Sequence, residues 1–156
     1  MYKKLLIVDD EPDMLMLLSM LIKEKTTYEP VATNNPLEAL ELVKQGGIDL
    51  VIAELKMPAL DGIELLEAVK RVDEDIPVVI MASYGTFEAA LEAMSKGAFD
   101  FIAKPFRKEQ MLFAIDKAFR WKRLRRENKL LTERIEKVEK RCVCGSAVSS
   151  ALRAVE

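Results

Sequence analysis

Three apolar runs in this chain end in side chains suited to binding a cation or a phosphoryl group. Leu5-Leu6-Ile7-Val8 is followed by Asp9-Asp10-Glu11-Pro12, Ile48-Asp49-Leu50-Val51-Ile52-Ala53 ends in Glu54, and Phe101-Ile102-Ala103 leads into Lys104-Pro105-Phe106. Carboxylate oxygens are the ligands a hard divalent cation takes. A lysine ammonium is a point charge for phosphate oxygens. An acid pair, a further acid and a lysine at three strand ends describe a phosphoryl-accepting site. The chain has no histidine, which removes an imidazole base, a histidine-containing zinc site and a phosphohistidine. Any phosphoryl donor is therefore another protein or a small molecule.

The elements that must position these residues can be read from periodicity. Short runs rich in branched and aromatic residues predict strands at about 4–9, 28–33, 48–54, 77–82 and 98–103. Helical stripes lie between them: Met14, Leu17, Leu18, Leu21 and Ile22; Leu37, Leu40 and Val43; Ile63, Leu66 and Val69; Phe87, Ala90, Leu91 and Met94. Pro12, Asn35-Pro36, Gly46-Gly47, Asp61-Gly62 and Gly97 fall where helices should start or stop. Alternating strands and helices with almost wholly apolar strands predict an α/β fold, a parallel sheet covered on both faces. The flavodoxin-like, doubly wound five-stranded order 2-1-3-4-5 is the natural arrangement. It sets the ends of strands 1 and 3 side by side at the ligand crevice, bringing Asp9, Asp10 and Glu54 together with Lys104 alongside.

Half of the 156 residues are apolar, enough for one well-buried domain. No run of about 18 apolar residues is present, and the N-terminal apolar stretch is too short for a secretory signal. The expected compartment is the cytosol, with no membrane contact. Cys142 and Cys144 make no disulfide framework and no complete zinc site, and are read as free thiols. Charge divides the chain unevenly: residues 1–116 carry 12 Lys/Arg and 21 Asp/Glu, whereas 117–141 carry 11 and 4. An acidic body joined to a basic segment predicts two physical units.

From about residue 107 the helical pattern continues without a breaker to about 141. Past Met111, Leu112, Ile115 and Phe119, its apolar positions narrow to Trp121, Leu124, Leu131, Ile135 and Val138, with Asn128 between Leu124 and Leu131. That spacing fits a heptad seam, and a single Asn at an a position is a device that fixes register in two-stranded coils. Residues 121–141 are expected to be a linker helix that pairs two copies of the chain. The eleven basic residues also admit direct DNA contact, but four glutamates and the apolar seam favour a pairing helix. DNA contact is assigned to domains absent from this chain.

Together, Val8-Asp9-Asp10-Glu11-Pro12, Lys56-Met57-Pro58-Ala59-Leu60-Asp61-Gly62 and Gly97-Ala98-Phe99-Asp100-Phe101-Ile102-Ala103-Lys104-Pro105-Phe106 resemble the receiver domain of two-component response regulators. The match covers about residues 3–120. With Arg123-Leu124-Arg125-Arg126-Glu127-Asn128-Lys129-Leu130-Leu131 following, the chain looks most like the receiver plus linker of sigma-54-dependent transcription activators. This gives a receiver over 1–120, a linker over 121–141, and a tail over 142–156 that faintly resembles the start of an AAA+ domain.

The resemblance implies a Mg²⁺ site at Asp9, Asp10, the position of Glu54 and the Lys56 carbonyl. It also implies a phosphoacceptor at position 54, phosphoryl-sensing groups at 82 and 104, a switch aromatic at Phe101, a cis Lys104–Pro105 bond and a histidine kinase as partner. Two positions depart from the family pattern. Glu54 stands where the family has aspartate, and Ala82 stands where it has a hydroxyl residue. Ser83 is next, but strand alternation would turn it to the other face. An extra methylene carries the carboxylate outward by about 1.3–1.5 Å, toward Lys104 and into phosphoryl space. A misplacement of about 1 Å can cost on the order of 100-fold in rate, so transfer to Glu54 is disfavoured and Mg²⁺ binding weakened. The expected role is a pseudo-receiver or phosphomimetic receiver controlling assembly in transcription regulation, not an enzyme. The alternatives are a receiver that is still phosphorylated, or a Mg²⁺-dependent phosphotransfer enzyme built on Asp9/Asp10.

Overall fold

The computed structural model describes residues 2–83 and 85–144, Cys144 by its backbone only. Five parallel strands, β1 (Lys4–Val8), β2 (Glu29–Thr33), β3 (Ile48–Glu54), β4 (Val78–Ala82) and β5 (Asp100–Ala103), form one sheet. Their order is β2-β1-β3-β4-β5. Helices α1 (Pro12–Lys25), α2 (Pro36–Gln45), α3 (Gly62–Val72) and α4 (Phe87–Ser95) connect them, and α5 (Lys108–Cys144) follows β5. This is the expected flavodoxin-like fold, with every strand bound within a few residues of its sequence reading.

Side-chain alternation divides the core into two layers. Leu6, Val8, Val51, Ala53, Val78, Ile80 and Ala82 face one way and pack with Ala39, Val43, Leu66, Val69 and Ala93. Leu5, Ile7, Leu50, Ile52, Val79 and Met81 face the other way, against Leu18, Ile22, Met111, Ile115 and Phe119. Helix starts follow local chemistry: Asn35 accepts from the Leu37 N–H, Asp61 from the Glu64 N–H and Thr86 from the Ala89 N–H, satisfying amides that a helix cannot pair internally.

One helix turns the opposite way from its sequence reading. On α4 the stripe Phe87, Leu91 and Met94 lies outward, 74%, 54% and 48% exposed, while Ala93 is fully buried. The small face of the helix meets the sheet, and periodicity alone does not say which stripe turns inward. Leu17 and Leu37 are likewise exposed.

The chain divides into two compact units, Met1–Lys122 and Arg123–Glu156. Trp121 and Lys122 belong to the first. The Trp121 ring lies 5.7 Å from that of Phe99, with the Lys70 ammonium over it, and Lys122 pairs with Asp49 at 2.9 Å. Trp121 is therefore a packing residue of the first unit, and the exposed stripe begins at Leu124. Residues 145–156, on which the AAA+ resemblance rests, lie outside the described residues. No described helix is long and apolar enough to cross a membrane.

Candidate functional site

The site gathers at the C-terminal edge of the sheet, where β1, β3 and β5 run side by side with β4. Asp9 follows β1 and is fully buried. Its N–H donates to the Thr33 carbonyl, and its Oδ1 accepts from the Glu11 N–H at 2.9 Å. Its Oδ2 accepts from the Lys104 ammonium at 2.8 Å. Glu54, at the end of β3, is also buried. Its Oε1 accepts from the Leu55 N–H at 3.1 Å, and its buried Oε2 is in ion-pair contact with Lys104. Glu11 reaches the same ammonium at 3.9 Å. The lysine side chain is 8% exposed.

Two buried carboxylates thus share one buried ammonium. Burial pushes the Glu54 carboxyl above the usual carboxylate range, and the Asp9 charge adds to this. The hydrogen bond and charge of Lys104 and the Lys56 N–H offset only part of it. For Lys104, burial pulls downward, but hydrogen bonds to Asp9 and Glu54 and their charges outweigh it and hold the ammonium above the ordinary lysine value. Glu54 and Lys104 thus each hold their proton more tightly than they would in isolation.

The turn after β3 holds Glu54 in place by close backbone contact. The Gly62 N–H donates to the Leu55 carbonyl at 2.7 Å. A Cβ at Gly62 would collide with the Glu54 carbonyl oxygen and lie 2.9 Å from Leu55 Cα. Only glycine allows α3 to begin this close to the strand.

A cavity of about 230 Å³ opens beside the trio, lined by Asp10, Glu11, Glu54, Leu55, Lys56, Ala82 and Ser83. Ser83 belongs to it because β4 ends at Ala82. Past the strand end, alternation no longer governs the direction of its side chain. Phe101, partly buried, packs against the same core layer as Ala82. Its ring fills the space above Gly85, where a Cβ would lie 2.8 Å from the ring edge. The Lys104–Pro105 bond is cis.

The sequence reading of the metal ligands meets a different grouping. Carboxylate oxygens of Asp9, Asp10 and Glu11 lie within 4.8 Å of one another, and Glu54, paired with Lys104, is not among them. Glu11, which follows the acid pair directly, joins this group. The donor set suits Mg²⁺, which takes one or two carboxylates and keeps several waters. Asp10 and Glu11 are exposed and available for this, whereas both Asp9 oxygens already have partners. Receiver domains bind Mg²⁺, and here the cation would be held mainly by Asp10 and Glu11 beside Asp9.

Acids and a lysine converging on this edge of a 2-1-3-4-5 sheet define a receiver-type signalling module. Residues 5–116 match the response regulator receiver domain, and the chain belongs to that family. It is 38% identical over 117 residues to sporulation initiation phosphotransferase F of Bacillus subtilis, covering 75% of this chain and 94% of that protein. It is 34% identical over 120 residues to the transcriptional regulatory protein ZraR of Klebsiella oxytoca, covering 77% of this chain but 27% of that one. The beryllofluoride-activated NtrC4 receiver domain dimer superposes with a TM-score of 0.73 at 30% identity, over 77% of this chain and 98% of that one. Relatives thus include receivers of sigma-54 activators, of whose length this chain spans about a quarter.

Proposed function

We propose that this chain is a receiver in which Glu54 stands in for the phosphorylated acceptor and fixes one signalling state. The observation that carries this is the Lys104 ammonium, shared between Glu54 and Asp9 and so already satisfied without a phosphoryl group. The Phe101 ring, partly buried against the core and packed close to Gly85, supports a fixed state, since the resemblance makes that aromatic the output element. In this reading the module sits in the cytosol, catalyses no turnover and docks a histidine kinase without productive transfer. It sets the pairing of two chains through the exposed residues Leu124, Asn128, Leu131, Ile135 and Val138 of α5, and DNA contact belongs to other domains of a longer regulator. Incubation with acetyl phosphate and Mg²⁺, followed by intact mass, tests it. No phosphoryl adduct is expected.

A second reading, a receiver that still accepts phosphate, is favoured by one observation. Ser83 lines the cavity beside Glu54, where its hydroxyl could meet phosphoryl oxygens in place of the one missing at Ala82. An adduct lost on Ser83→Ala would select it.

A further inference from the structure

The pairing segment contains more information than a seam. Leu124, Asn128, Leu131, Ile135, Val138 and Cys142 follow one another at intervals of 4, 3, 4, 3 and 4 residues. The four aliphatic members are 59%, 53%, 58% and 57% exposed, and Cys142 is an exposed free thiol. We propose that a second copy of this chain covers this stripe as a parallel, in-register coil, with the two Cys142 thiols forming its last layer. This rests on the pairing reading above and adds its direction, its register and a residue that reading did not include.

Direction follows from what each arrangement places opposite Asn128. In a parallel, in-register pair, Asn128 meets Asn128 of the other copy, and each amide finds a donor and an acceptor. The antiparallel arrangement that buries the same stripe sets Asn128 against Val138, leaving the amide without a partner. Each arrangement also makes its own charge contacts. In the parallel pair, Arg134 at a g position and Glu139 at an e position of the other copy are neighbours, and the two-fold axis makes this contact twice. Neither has an ion-pair partner in its own chain among the described residues. The antiparallel pair gains contacts of Glu127 with Arg141 and of Arg125 with Glu139 and sets Arg134 against Arg134, so the Asn128 layer, not charge, decides the direction.

Cys142 then follows from the register. It lies two heptads beyond Asn128 at the same a position, so the layer that joins the two amides repeats as a layer joining two thiols. A disulfide there needs an added oxidant. With oxidised glutathione, one Cys142 thiolate displaces a glutathione thiolate, the second Cys142 attacks the mixed disulfide, and a second glutathione leaves. Two cysteine thiols become one disulfide, and one glutathione disulfide becomes two thiols.

The test uses the full chain with Cys144→Ser, so that only Cys142 can link. Sedimentation of the reduced protein reads pairing, and non-reducing mass after oxidised glutathione reads the Cys142 layer. The expected result is a reduced dimer that becomes covalent through Cys142. Arg134→Glu or Glu139→Arg alone should lower the linked fraction severalfold, and the two together should restore it. A reduced dimer that does not link through Cys142, or that links Leu124→Cys to Cys142 instead, overturns the direction and leaves pairing standing. A monomer at every concentration tested overturns both.

Discussion

Lys104 joins Glu54 to Asp9: its ammonium contacts Oε2 of Glu54 and lies 2.8 Å from Oδ2 of Asp9, with all three side chains no more than 8% exposed. Each carboxylate depends on this one cation for compensation. Removing one member of a buried ion pair costs about 3–5 kcal/mol, because the remaining charge is left unpaired. Lys104→Met should therefore lower stability by about that amount in urea unfolding. Adding Glu54→Gln should recover part of the loss, since it removes one of the two stranded charges. No recovery would show that the carboxylates are compensated elsewhere.

The same trio sets a pH dependence. The Glu54 pKa is raised by folding, so the folded state favours its protonated form. That stability is fully present below the unfolded value, about 4.3, and is lost as pH rises through the higher folded value. Lys104, also raised, contributes stability that is present below about 10.4 and lost above it, as pH passes its folded value. Unfolding free energy measured across pH should fall for the parent chain relative to Glu54→Gln as pH rises from about 4.3. Parallel curves would mean that Glu54 ionises as in the unfolded chain.

Asp9, Glu54 and Lys104 were legible as a site because each ends an apolar run, and a parallel sheet brings strand ends together. The 2-1-3-4-5 order followed from the number of βα units. What escaped the sequence was decided by fit between elements. Which face of α4 turned inward depended on the room beneath it, which suited Ala93 and not Leu91. Ser83 borders the cavity just past the end of β4, where alternation carries no information about its direction. Trp121 fits the heptad spacing as well as Leu124 does, yet Phe99 and Lys70 claim its ring. Spacing could not reveal that one ammonium would pair with both Asp9 and Glu54.

Backbone crowding at the start of α3 gives a third expectation. Gly62→Ala drives a methyl into the Glu54 carbonyl and toward Leu55 Cα, and neither backbone can yield as a side-chain tip would. Overpacking of this kind costs about 1–3 kcal/mol. Gly47→Ala has nothing within 4 Å, though its φ of +91° carries strain of its own. Thermal unfolding should show the larger loss for Gly62→Ala, accompanied by shifted amide resonances at Leu55. Unshifted resonances would mean that α3 does not hold the Glu54 strand end.

Shortening the acceptor side chain separates the two readings of the site. Glu54→Asp withdraws the carboxylate by about 1.3–1.5 Å and opens the space between it and Lys104. The ammonium keeps Asp9 as its partner at 2.8 Å and gains room for a phosphoryl oxygen. A correction of about 1 Å in attack geometry is worth on the order of 100-fold in rate. With acetyl phosphate and Mg²⁺, the aspartate variant should therefore form a phosphoryl adduct at least on that scale faster than the parent chain. Adding Ala82→Thr should lengthen its lifetime, because a hydroxyl bonded to a charged phosphoryl oxygen contributes about 1.5–3 kcal/mol. Equal adduct formation by the parent and Glu54→Asp would show that Glu54 does not block the site.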